Sequence, residues 1–182
     1  DVCSSDLCIL ISCLSLLIIG MYRSTSSCWV LDLDTWQWTQ GPQLHTARCS
    51  HTVTAVGGAL VAVGGWDRSF NTLSSCETET GTGRWTPAPD LDQAREWHAA
   101  CEWNGRVMVS GGLTYSITTL SSVTSWRPGE LSWRAEPPLS APRCYHVMCA
   151  VGPRLVTCGG WRDSGAFLGV EEYSPGAGVW RS

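Results

Sequence analysis

Charge is scarce in this chain: Asp, Glu, Lys and Arg make up 15% of its 182 residues, against roughly 25% in an average soluble protein. That shortage disfavours charged surface helices and leaves sheet and tight turns. No basic excess exists either, since the net charge is -4 and the pI is near 5.5. Nucleic acid and anionic membrane are thereby excluded as electrostatic partners. A long apolar run is also missing. The longest, LCILISCLSLLII from Leu7 to Ile19, falls short of the roughly 20 residues that span a bilayer. No Lys or Arg precedes it, so it lacks the head of a signal peptide, and it reads as buried strands of a first, incomplete unit. The chain begins at Asp1 rather than Met, which suggests a fragment with sequence upstream.

Metal and catalytic signatures are absent as well. The 10 cysteines include no C-x-x-C pair, which removes a zinc knuckle and a thioredoxin-like motif. Cys101, Cys149 and Cys158 sit in apolar runs, as small buried hydrophobes do. The set reads as reduced thiols of a cytoplasmic protein rather than as a disulfide framework. There is no G-x-S-x-G, H-E-x-x-H, P-loop or dinucleotide fingerprint, so neither an enzyme nor a cofactor is expected.

What is present is apolar and repetitive: 43% hydrophobic residues, 11 Trp and 19 Gly. Gly64-Gly65, Gly111-Gly112 and Gly159-Gly160 recur at steps of 47 and 48. His51, His98 and His146 each precede their Gly pair by 13, and Arg48, Arg95 and Arg143 precede the His by three. Trp38, Trp85, Trp133 and Trp180 keep the same phase. Four units of roughly 45–50 residues follow, with boundaries at 1–47, 48–94, 95–142 and 143–182, the first degenerate or partial and the last truncated.

Within a unit, HTVTAVGGALVAVGG, HAACEWNGRVMVSGG and HVMCAVGPRLVTCGG each read as two short strands about a turn, Asn104-Gly105 suiting a tight hairpin best. A third strand is expected over Leu73–Thr80, Leu120–Trp126 and Leu168–Tyr173, and a fourth from the in-phase Trp. Four antiparallel strands per repeat make one propeller blade, and the fold class is all-β.

R-x-x-H, an apolar hairpin closed by Gly-Gly, and an aromatic six or seven residues before a final Trp resemble the kelch repeat. The likeness is closest over 48–91, 95–139 and 143–180, with CWVLDLDTWQW from Cys28 resembling the end of another repeat. It implies a β-propeller, about four blades here and six in a whole one. The compact repeat is most similar to the Kelch-like group, in which the propeller follows BTB and BACK domains and serves as the substrate adaptor of a cullin-3 ubiquitin ligase. Neither domain lies in this chain, so cullin-3 would be met only through domains outside it. A kelch scaffold on actin or another cytoskeletal protein is the alternative. Kelch-like copper oxidases need Tyr, His and Cys on the axis, whereas the His residues here are repeat residues.

Residues that recur in phase read as scaffold: the three His, the three Gly pairs and Trp85, Trp133 and Trp180. One His per blade is a hydrogen-bonding residue rather than a metal ligand. Recognition is sought where repeats differ, on loops held by a rigid frame. The candidate partner surface is Arg48, Trp66, Arg68, Arg95, Trp97, Tyr115, Arg143, Tyr145, Trp161 and Arg162, of types that dominate binding hot spots. A mouth so rich in arginine favours an acidic peptide of a protein substrate. Cys49 and Cys144, each after a loop Arg, read as ordinary small residues, with a redox-sensitive thiol as the alternative.

Overall fold

Apolar runs with period two, cut by glycine turns, dictate short antiparallel strands. The computed structural model describes residues 8–11, 15–21, 23–162 and 164–182, with side chains from residue 24 onward. Among these residues there is no helix, and therefore none long and apolar enough to cross a membrane.

Four four-stranded sheets follow one another along the chain. The first holds β1 (Cys8–Ile11), β2 (Ser15–Met21), β3 (Arg23–Asp32) and β4 (Trp38–Gln40). The second holds β5 (Thr52–Val56), β6 (Ala59–Val63), β7 (Cys76–Glu79) and β8 (Trp85–Ala88). The third holds β9 (Ala99–Trp103), β10 (Arg106–Ser110), β11 (Val123–Trp126) and β12 (Arg134–Glu136). The fourth holds β13 (Val147–Val151), β14 (Arg154–Cys158), β17 (Val170–Ser174) and β18 (Val179–Arg181), with a small hairpin of β15 (Trp161–Arg162) and β16 (Gly165–Ala166) at its loop. Neighbours in each sheet pair in sequence order, as in a propeller blade. The expected burial of the 7–19 stretch lies outside the described side chains.

Asn104 and Gly105 both take positive φ, 52° and 72°, the backbone that a two-residue hairpin demands. The third strands start two or three residues later than expected. Leu73 and Leu120 are still loop, their amides donating to the Gly65 and Gly112 carbonyls at 2.7 and 2.9 Å.

Blades adhere through three apolar layers. Cys28, Leu44, Ala62 and Trp85 join the first to the second. Val61, Val63, Val107, Val109, Trp126 and Trp133 join the second to the third. Trp103, Met108, Val123, Leu155, Tyr173 and Trp180 join the third to the fourth. Each Val, Leu or Met among them contributes about 1.5–3 kcal/mol on burial. The in-phase Trp closes every joint: Trp85, Trp133 and Trp180 donate through Nε1 to the carbonyls of Pro42, Pro89 and Pro137 at 3.0, 2.8 and 2.9 Å. Trp38, in the same phase on the first blade, is exposed, and so are Val147, Val151 and Val170 on the far face of the fourth. In the second and third blades the residues in register with those valines are buried or half-buried against the next blade. Inner strands β1, β5, β9 and β13 touch consecutively; among the described residues no comparable contact returns from β13 to β1. The blades form an arc.

Candidate partner-binding face

The R-x-x-H segments and the loops after Gly-Gly meet at one end of the arc. Backbone bridges join Cys49 to Trp66, Glu96 to Leu113 and Cys144 to Trp161, stitching each crossing to the loop beside it. The hairpin turns lie at the opposite end.

Each R-x-x-H segment alternates sharply between inside and outside. Arg48, Arg95 and Arg143 are buried. Arg48 Nη1 donates to the carbonyls of Gly64 and Ser75 at 2.7 and 2.9 Å, and its Nη2 pairs with Glu77 at 2.6 Å. Arg143 reaches the Gly169 carbonyl at 3.3 Å and pairs with Glu171. Arg95 reaches the carbonyls of Gly111 and Ser122 at 3.0 and 3.3 Å. These three arginines brace the blades from within and cannot touch a partner, which corrects the expectation that placed them on the surface. The reason is that buried carbonyls at a sheet end need donors, and a guanidinium supplies several at once. With them inside, the arginine-rich mouth that favoured an acidic peptide is reduced to Arg68 and the half-buried Arg162.

Two residues after each Arg the backbone turns left-handed. Ser50, Trp97 and Tyr145 all have φ of 54°, a conformation that costs an L-residue about 1–2 kcal/mol and here aims the side chain outward. Trp97 N donates to the Ser50 carbonyl at 3.1 Å and Tyr145 N to the Trp97 carbonyl at 2.9 Å, so the three positions are linked from blade to blade. The rings of Trp97 and Tyr145 meet at 4.5 Å. Ser50, Trp97, Tyr145 and Val147, with the three His below, line a cleft of about 340 Å³.

The His side chains are scaffold. His98 shares a hydrogen bond with Thr52 Oγ1 at 2.9 Å and His146 with Ser110 Oγ at 2.8 Å, each crossing to the preceding blade. Burial holds His51 and His146 down at about 3 and His98 well below its ordinary value, with nearby arginine charge adding to the effect. These imidazoles are neutral at pH 7.

Trp66 is half-buried, stacked on Phe70 at 5.0 Å and donating to Ser50 Oγ at 3.0 Å. Arg68 is exposed, its Nε 3.4 Å from the Ser24 carbonyl. It helps to line a shallow depression of about 410 Å³ with Ser26, His45, Thr46 and Asp67. Tyr115 and Trp161 are exposed, and Arg162 lies over the Phe167 ring at 4.7 Å. Phe70 and Ile117 were missed from the sequence. Both are about three-quarters exposed at loop tips, with φ of 62° and 60°, and a positive φ is a genuine outlier for a β-branched residue such as Ile. Their shared phase, 47 residues apart, was the readable signal.

Cys49 and Cys144 are buried at the bridges, the Cys144 thiol donating to the Trp161 carbonyl at 3.5 Å. Neither offers the accessible thiol that a redox site needs. Among the described residues Cys28, Cys49, Cys76, Cys101, Cys144, Cys149 and Cys158 are in no disulfide, and burial pushes Cys76 up to about 12.

Comparison with known proteins agrees with this geometry. The Kelch motif is matched at residues 47–91 and 142–182. An F-box/kelch-repeat protein of Arabidopsis thaliana is 41% identical over 44 residues, a stretch that makes up 24% of this chain and 12% of that protein.

Proposed function

We propose, from the premise that the chain is built of kelch propeller repeats, that it is a protein-binding module whose partner docks on the loop end described above. Kelch repeats form an interaction fold. The observation that carries the reading is the division of labour along the R-x-x-H segments: Arg and His turn inward to brace the blades, while left-handed backbone turns the half-buried Trp97 and the exposed Tyr145 outward. Tyr115, Ile117, Phe70 and Trp161 extend the same end with exposed apolar surface. Such a face suits an apolar or aromatic protein segment better than an acidic one.

In the whole protein this module is proposed to select the substrate of a cullin-3 ubiquitin ligase in the cytoplasm, the cullin being bound by domains outside the chain. The Arabidopsis relative, by its name, pairs kelch repeats with an F-box. Affinity purification of the full-length protein tests both levels. Cullin-3 should co-purify, and Trp97→Ala with Tyr145→Ala should release the substrate while leaving cullin-3 bound. Hot-spot truncations cost about 2 kcal/mol or more, roughly 30-fold in affinity. Actin co-sedimentation without cullin-3 would replace the ligase reading with that of a cytoskeletal scaffold. Unchanged binding by the double variant would remove the aromatic face from recognition.

A further inference from the structure

The three buried arginines occupy equivalent places, but only two have a carboxylate. Glu77 accepts from Arg48 Nη2 at 2.6 Å and from the amides of His45 and Thr46 at 2.6 and 3.0 Å. Glu171 accepts from Arg143 and from the Ser140 amide at 2.8 Å. The strand register puts Thr124 at this position in the third blade, because Val123 faces Ser110 as Cys76 faces Val63. Thr124 is too short to reach across, and its hydroxyl turns away to the Arg134 carbonyl at 2.9 Å.

The rest of the arrangement is kept, with one addition: Arg95 Nε donates to the Gln93 carbonyl at 3.5 Å. Arg95 Nη1 makes the two carbonyl bonds that Arg48 makes, and Nη2 donates to Ser122 Oγ at 3.0 Å as Arg48 Nη2 does to Ser75 Oγ. The amides in phase with those of His45 and Thr46 belong to Asp92 and Gln93, and neither has an acceptor among the described residues. A cleft of about 110 Å³ lies where the carboxylate would be, lined by Arg95, Thr124, Asp92, Gln93, Ser122 and Ala135 among others. Arg95 is 3% exposed and forms no ion pair among the described residues. Burial holds the Arg95 guanidinium down at about 10, and Asp92, exposed at the rim, opposes this only weakly from a distance.

We propose that this cleft between the second and third blades binds a small carboxylate anion of formate or acetate size, which occupies the place of the missing glutamate. The guanidinium supplies charge-assisted bonds to one face of such an anion, and the two amides supply the other, as they do for Glu77. The anion would couple the second blade's crossing to the third blade's β11 and tighten that joint when bound.

Thr124→Glu tests this, because it returns the carboxylate to the chain and fills the cleft. Melting of the 182-residue chain in sodium formate should show a saturable rise of about 2–4 °C over equal sodium chloride. The variant should melt higher than wild type and lose the formate response. Backbone amide resonances of Asp92 and Gln93 should shift with formate in the wild-type chain, a readout independent of whether the variant folds. Equal responses to formate and chloride, a formate response retained in Thr124→Glu, or unmoved Asp92 and Gln93 amides would each overturn the proposal.

Discussion

Gly64 and Gly159 stand in the same repeat position with nearly the same backbone, φ of 58° and 67°, yet alanine should harm them very unequally. A Cβ on Gly64 would lie 2.5 Å from the Arg95 carbonyl oxygen and 3.1 Å from the His98 ring. Both belong to the next blade and are fixed, Arg95 by its bonds to Gly111 and Ser122 and His98 by its bond to Thr52. On Gly159 the nearest atom would be the Phe167 carbonyl oxygen at 3.8 Å, an ordinary contact. Both substitutions carry the left-handed penalty of about 1–2 kcal/mol. Only Gly64→Ala adds overpacking of a joint, typically about 1–3 kcal/mol. The difference, about 1–3 kcal/mol, corresponds to roughly 2–12 °C in Tm at about 2–4 °C per kcal/mol for a chain of this size. Paired thermal melts followed by Trp fluorescence measure it directly. Equal losses for the two variants would refute the view that Gly-Gly exists for close approach between blades and would leave backbone conformation alone as its reason.

Other positions offer similar contrasts. Trp85→Ala empties a buried joint and should cost about 3–5 kcal/mol, whereas Trp38→Ala, at an exposed residue of the same phase, should stay within about 1 kcal/mol; urea midpoints of the two compare them. Glu77→Ala leaves the Arg48 guanidinium buried without its carboxylate and should cost about 3–5 kcal/mol, read from the same curves. Acid should weaken the fold early. His51, His98 and His146 have folded pKa values depressed by burial below the ordinary 6.5, so the unfolded chain binds protons that the folded chain refuses. Their contribution is complete above about pH 6.5 and falls as pH drops below it, for His51 and His146 down to about 3, at up to about 1.4 kcal/mol per pH unit for each His. The urea midpoint measured from pH 7 to pH 5 should decline, and His146→Gln, which keeps an acceptor for Ser110, should flatten the slope; a midpoint flat over that interval would contradict neutral buried imidazoles.

Much of this was legible because it is written in phase. Glycines that must accept a neighbouring backbone, tryptophans that wedge each joint and histidines that bond across it recur at 47 or 48 residues, since every joint poses the same problem. The outward side chains of the loop end were less legible. Trp97 and Tyr145 were singled out by residue type, but Phe70 and Ile117 escaped because, although they keep the 47-residue phase, one is aromatic and the other aliphatic. Misreading Arg48, Arg95 and Arg143 as surface residues had a simple cause: a charged residue beside turn-formers looks solvated until its acceptors are known.

Repetition by itself therefore determined the blades, their strand order and the residues that lock them, because local turn chemistry and alternation act on neighbours in the chain. Only the tertiary structure decided which side chains face out. The acceptors that draw Arg48 inward are 16 to 29 residues away, and no local pattern shows that they converge. The same distance separates Arg95 from Thr124, and it is there, where one blade lacks the carboxylate that two others keep, that a cleft opens.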